Sequence, residues 1–161
     1  QNAVVGATRD GRRALLASKD ANPTGSVYSH DSASAPTMLP ANLIITSLVR
    51  NATSISSDRT GSKWIFDQQD IYSDQFILLG SLPATTLASI LSHDGTIAYT
   101  IDSVGSVRKF DLTSVVSMQF TEVGSTPLAS APGNNPVMTI SHDGLILFMV
   151  GDANLVIMAA P

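Results

Sequence analysis

Four times along the chain an apolar run stops at a hydroxyl residue, any residue, an Asp and usually a Gly, and a second apolar run follows. The four copies are Thr8-Arg9-Asp10-Gly11, Ser56-Ser57-Asp58-Arg59, Ser92-His93-Asp94-Gly95 and Ser141-His142-Asp143-Gly144. Their aspartates are 48, 36 and 49 residues apart. Asp-Gly between two apolar runs marks a tight hairpin, because Gly takes positive φ without a steric penalty and Asp bonds nearby backbone amides. Asp10, Gly11, Asp58, Asp94, Gly95, Asp143 and Gly144 are therefore expected to be structural turn residues. In the second copy the Gly is displaced to Gly61, which lengthens the turn. The flanking runs alternate with the period of a strand: Ile97, Tyr99 and Ile101 fall on one face, Thr96, Ala98 and Thr100 on the other. Leu145–Val150 is apolar on both faces, as a strand buried between two sheets is.

A strand-rich unit recurring every 40–50 residues or so is the signature of β-propeller blades. The expected fold is all-β: about four blades of three to four antiparallel strands, in repeats of approximately 1–50, 51–86, 87–131 and 132–161. Within each blade the strands are labelled A to D from the axis outward. The first repeat predicts A at Ala3–Thr8, B at Arg13–Ala17, C at Ser26–His30 and D near Leu43–Val49, with a flexible connection over Asp31–Pro40. The second predicts A at Thr53–Ser57, B at Lys63–Asp67 and C at Gln75–Leu79, with D weak or missing. The third predicts Leu87–Ser92, Thr96–Ile101, Ser106–Asp111 and Met118–Val123. The fourth predicts Val137–Ser141, Leu145–Val150 and Leu155–Ala159, with no D strand.

The string Leu91-Ser92-His93-Asp94-Gly95-Thr96-Ile97-Ala98-Tyr99, followed by Gly105-Ser106-Val107-Arg108-Lys109-Phe110-Asp111, resembles the YVTN-type propeller repeat. That family includes lactonase-like and quinoprotein-like seven-bladed propellers. The resemblance covers most of the chain as four copies. It implies the fold; it implies no particular activity, since the motif builds sheets and carries no chemistry.

Composition narrows the function. Of 161 residues 43% are hydrophobic, enough for a packed core, and only 14% are charged, against about 25% in an average domain. A net charge of −4 and scattered Lys and Arg give no basic stripe for nucleic acid. No apolar stretch approaches the ~18–20 residues that cross a bilayer. The chain has no cysteine, so it holds no disulfide and no thiolate metal site. A first residue that is not Met reads as a mature or excised piece; low charge with abundant Ser and Thr leads us to expect a secreted, periplasmic or cell-surface protein.

Propellers close with 4–8 blades. A fourth repeat without a D strand argues for part of a larger ring or assembly, completed by blades of another chain or by a second copy. The expected role is a non-enzymatic binding or scaffold module for protein or glycan. The alternatives are a fragment of a propeller enzyme with its catalytic residues in further blades, and a self-assembling structural protein.

The candidate ligand-binding residues are Asp67, Asp70, Asp74, Asp102, Asp152, Arg50 and Tyr72. Asp67, Asp70 and Asp74 belong to the densest acidic stretch, placed in the B–C loop of the second repeat. Calcium, which takes oxygen ligands, is the one cofactor they suggest, against the plainer reading of a solvated loop. Asp102 and Asp152 follow B strands at the same end and, with Arg50, line a polar funnel in this reading; turn formation is the plainer role. Each of the three histidines occurs as Ser-His-Asp, which cannot act as a catalytic triad within one tripeptide because adjacent strand side chains face opposite ways. Matching positions on neighbouring blades are expected roughly 10 Å or more apart at the rim, which argues against His93 and His142 sharing one ion directly. Trp64, Tyr99 and Phe148 are expected between blades.

Overall fold

The computed structural model describes residues 3–18, 27–31, 37–38 and 54–161. Every regular element among them is a strand, and none is a helix able to cross a membrane. The first group is β1 (Ala3–Ala7), β2 (Arg13–Ser18), β3 (Val27–Asp31) and β4 (Thr37–Met38), hydrogen-bonded in that order. The second is β5 (Ile55–Ser57), β6 (Lys63–Phe66), β7 (Asp70–Ser73) and β8 (Leu78–Ser81). The third is β9 (Thr86–Leu91), β10 (Ile97–Asp102), β11 (Ser106–Val116) and β12 (Gln119–Pro127). The fourth is β13 (Val137–Ile140), β14 (Ile146–Val150) and β15 (Leu155–Ala159). Each group is an antiparallel meander, referred to below as blades 1 to 4. The A strands β1, β5, β9 and β13 lie side by side in sequence order. At the rim, β8 and β12 meet through one parallel bridge, Ser81 to Gln119, which links blades 2 and 3.

The hairpin motif closes as its chemistry requires. The Thr8, Ser92 and Ser141 hydroxyls donate to Asp10, Asp94 and Asp143, and accept from the amides of Arg13, Ile97 and Ile146. The same carboxylates accept from the amides of Arg12, Thr96 and Leu145. Gly11, Gly95 and Gly144 take φ of 72°, 68° and 79°, values an L side chain rarely adopts. These hydroxyl–carboxylate contacts bypass the intervening histidine, so His93 and His142 lie outside any Ser–His–Asp relay.

Strand alternation divides each blade between two cores. Trp64, Phe66 and Tyr72 of blade 2 pack with Leu15 of blade 1, while Ile65 and Ile71 turn the other way, toward Leu91, Ala98 and Phe110 of blade 3. Ala88, Ile90, Tyr99 and Ile101 of blade 3 meet Met138, Ile140, Leu147 and Met149 of blade 4. Trp64 and Tyr99 are core residues as expected, and Phe148 is half-buried.

Two expectations fail. The C strand of the second repeat is β7 at Asp70–Ser73, not 75–79, and Leu78–Ser81 is a genuine D strand paired to it. The cause is a two-residue turn: Asp67 and Gln68 take φ of 50° and 67°, so the chain reverses at once and the acidic stretch enters the sheet. In blade 1, β4 pairs with β3 inside the 31–40 connection that reads as flexible in the sequence. The expected D strand at 43–49 lies outside the described residues.

Candidate functional site

Between the A strands of blades 2, 3 and 4, at the end carrying the B–C turns, is a cleft of ≈ 230 Å3. Ser54, Ser56, Gln68 and Ser89 supply its polar lining; Ile55, Ile65, Ala88 and Met138 are among its apolar walls. The reversed turn that brings β7 into the sheet also carries Gln68 to the cleft. Gln68 Oε1 and Ser89 Oγ are buried and have no hydrogen-bond partner among the described residues. Buried polar atoms are normally satisfied, so this pair is left for a water or a ligand group to fill. The lining is hydroxyl, carboxamide and hydrocarbon, a chemistry suited to recognition.

The residues singled out from sequence are not gathered in this cleft. Asp67 sits in the β6–β7 turn. Asp70 begins β7 and accepts from Ser81 Oγ at 2.6 Å. Asp74 is exposed in the turn beyond the far end of β7. Four extended residues separate Asp70 from Asp74 by about 13 Å, too far to share an ion. Among the described residues no three acidic or imidazole groups form a metal-ligand set. Tyr72 is 3% exposed, edge-on to Phe66 at 5.4 Å, and burial, aided by the charge of Asp70, pushes its phenol far above the usual range. It belongs to the core, which corrects its assignment as a ligand-binding residue.

Asp102 is 4% exposed. It accepts from the amides of Val104 and Ser106 and from Arg108 Nε at 2.7 Å, and Arg108 also reaches Glu122 at 3.0 Å. Burial disfavours its charge, but the amides and the guanidinium together outweigh it and hold the carboxyl below its ordinary pKa. Asp152 binds the side chain and the amide of Asn134, which hold its carboxyl low and tie the strand-entry loop of blade 4 to the β14–β15 turn. Both are turn-forming carboxylates: Asp102 is buried and committed to its turn and to Arg108, and Asp152 is exposed with each oxygen bonded to Asn134. Arg50 lies outside the described residues.

A second feature is an open sheet face. In blade 4, Leu147 and Met149 face blade 3 and are fully buried, whereas Val137, Val150, Leu155 and Ile157 face away and are 50–68% exposed. Nothing among the described residues covers this side. At the opposite end of the arc, Val5 of blade 1 is 64% exposed.

No protein-family model matches this chain, and no curated protein matches it. Among solved structures 464 chains match. One is the β-propeller domain of Cps50 (Swd1) from Myceliophteria thermophila, with a TM-score of 0.63 and 13% identity, covering 98% of this chain and 51% of that one. At that identity the likeness establishes the fold alone: the protein is all-β and built as a β-propeller. The chain spans about half the length of that propeller domain.

Proposed function

We propose that this protein is a β-propeller scaffold acting through protein–protein contact, and that the outer face of blade 4 is the surface engaged. One observation carries the reading: Val137, Val150, Leu155 and Ile157 form a sheet face as apolar as those packed between blades, yet stand in water. A face of several hundred Å2 at ~25 cal/mol per Å2 leaves several kcal/mol unclaimed. The partner that fits is another propeller blade, whose flat apolar face matches the packing between blades 3 and 4. In the purified chain the available partner is the blade 1 face of a second copy, related by a two-fold axis that covers both open ends at once. The half-length match to a propeller domain supports this reading.

Sedimentation velocity from low to high micromolar protein tests it. The wild type is expected to self-associate, and the double variant Val150→Lys, Ile157→Lys to stay monomeric with unchanged far-UV circular dichroism. A wild type that sediments as a monomer throughout, with no binding of an apolar dye, overturns the reading. A second reading concerns the axial cleft: Gln68 Oε1 and Ser89 Oγ favour a neutral hydroxyl or carboxamide group there, from a glycan or a partner side chain. Location outside the cytoplasm belongs to the proposal too, supported by low charge and abundant hydroxyl residues.

A further inference from the structure

The A–B hairpins of all four blades converge at the end of the axis opposite the cleft. The amide of Asp10 donates to Arg59 O at 3.1 Å and the amide of Arg59 to His93 O at 3.2 Å; the His93 and His142 rings stand 6.3 Å apart, edge to face. The sequence reading places these positions at the rim, roughly 10 Å or more apart; the turns instead stack at the axis, where blades are closest. Five of the nine Lys and Arg residues, Arg9, Arg12, Arg13, Arg59 and Lys63, lie in the first two of these hairpins.

Some of these cations are spent on the fold. Arg13 Nη1 donates to Gly61 O and Lys63 Nζ to Gly95 O. Arg9 reaches across to blade 3, where Nη2 donates to Leu91 O at 2.9 Å. Its other nitrogen, Nη1, is buried and has no partner among the described residues; the same holds for His93 Nε2. The acid closest to hand, Asp58, is fully buried, and both its oxygens are saturated within its own turn by the amides of Thr60, Gly61, Ser62 and Lys63 and the Ser62 hydroxyl. It lends Arg9 long-range attraction and no hydrogen bond.

The geometry points to an oxyanion site at this end of the axis, in which Arg9 Nη1 and a protonated His93 Nε2 clasp one carboxylate or one phosphate- or sulfate-like group, with Arg59 beside them. Three things support it. Arg9 Nη1 is an unpartnered buried donor, and His93 Nε2, a bare acceptor in the neutral ring, becomes a second donor on protonation, so one bridging oxyanion then satisfies both. The ring of His93 already bonds the Ser141 backbone, and since Nε2 is bare, Nδ1 makes that bond and Nε2 is the nitrogen that takes up the proton. Burial, then the charges of Arg9, Arg59 and His142, keep the free imidazole neutral, so an arriving anion removes the repulsion and draws one proton from solvent onto Nε2. This site is independent of the blade 4 face.

The test is an NMR titration of the His93 imidazole in the intact chain at constant ionic strength, with sulfate in one arm and acetate in the other, because neither titrates between pH 5.5 and 7.5 to any great extent. The expected result is saturable binding, about tenfold or more tighter at the lower pH, with the His93 pKa raised in the bound form. Tighter saturation by sulfate assigns a tetrahedral anion, and by acetate a carboxylate. Arg9→Gln is expected to weaken binding about tenfold or more, and Lys109→Gln to leave it unchanged. If Arg9→Gln fails to fold, Arg59→Gln replaces it with a smaller loss of the same sign. Linear shifts in both arms, affinity independent of pH, or equal affinity in the folded arginine variant would overturn the site.

Discussion

The division of blade 4 into a packed face and an open face is tested by making one chemical change on each side. Leu147 on β14 is 0% exposed and sits in the core shared with blade 3; Leu155 on the adjacent strand β15 is 61% exposed. Leu→Ala removes the same atoms at both. At Leu147 it also leaves a cavity, and such substitutions cost about 2–5 kcal/mol. At Leu155 less than half of the side chain is withdrawn from water and no cavity forms, so about 0.5–1 kcal/mol is lost. For a chain of this size each kcal/mol moves Tm by roughly 2–4 °C, giving a fall of about 4–20 °C for Leu147→Ala and about 1–4 °C for Leu155→Ala. Thermal and urea unfolding should be followed by far-UV circular dichroism and by fluorescence of Trp64, the single tryptophan, which is buried at the far interface between blades 1 and 2. Blades couple mainly to their neighbours, so a smaller effect at Trp64 than in circular dichroism would measure how far the damage spreads. Protein must be dilute, because a copy seated on the open face would shelter Leu155. Equal losses for the two variants at every concentration would refute the assignment of faces.

Glycines in the hairpins offer a second comparison. Gly11 and Gly95 both have positive φ, so Ala at either costs about 1–2 kcal/mol in backbone strain. A Cβ at Gly11 meets nothing within 4 Å, but at Gly95 it falls 2.6 Å from Asp58 Oδ2. Urea midpoints should therefore drop clearly further for Gly95→Ala, and equal drops would argue against the stacked turns. Acid should unfold the protein in two stages. His93 has a lowered pKa in the fold, so the unfolded chain binds the extra proton first and stability declines as pH falls through about 6.5, an effect that His93→Gln removes. Asp10, Asp94 and Asp143 are held low by hydrogen bonds from Thr8, Ser92 and Ser141, so the stability they lend is intact above about pH 5 and lost as pH falls below about 4. Unfolding curves at stepped pH decide both, and a stability that rises on acidification from pH 7 to 5 contradicts the first.

How much of this was legible depends on what each signal encodes. The hairpin motif names its own geometry, since an Asp-Gly step fixes a backbone reversal locally; the strands beside it in blades 3 and 4 fall within a residue or so of their expected limits, apart from a longer hairpin at β11–β12. Asp67–Asp74 misled because its polarity looks like a loop. Its two buried residues, Ile71 and Tyr72, point to opposite sides into different cores, and no periodicity survives in a four-residue strand buried on both faces. The cleft was invisible for another reason. Ser54, Gln68 and Ser89 are unremarkable where they stand in the chain, and only the packing of three A strands assembles them and leaves two of their polar atoms unmatched.

The same logic explains why the oxyanion site emerged from the motif once its partners were known. In hydroxyl-x-Asp the outer two positions are consumed by the turn, where hydroxyl and carboxylate bond each other and the following amides. The middle position is not needed for the turn; the backbone closures of Thr8 on Arg13, Asp58 on Lys63, Ser92 on Ile97 and Ser141 on Ile146 make it Arg9, Arg59, His93 and His142. In blade 2 its backbone ties the blades together, as the Arg59 amide donates to His93 O and its carbonyl accepts from the Asp10 amide. In blades 1 and 3 it places a guanidinium and an imidazole at the same end of the axis, and one nitrogen of each has no partner among the described residues. A repeat that conserves its outer positions for folding leaves its central position free to vary, and the stacking of hairpins at the axis turns that freedom into a cluster. Replacing the middle residue of blade 1, Arg9→Ser, is therefore expected to preserve the strands while weakening the anion response at His93. Loss of the sheet itself would mean that the middle position is part of the fold.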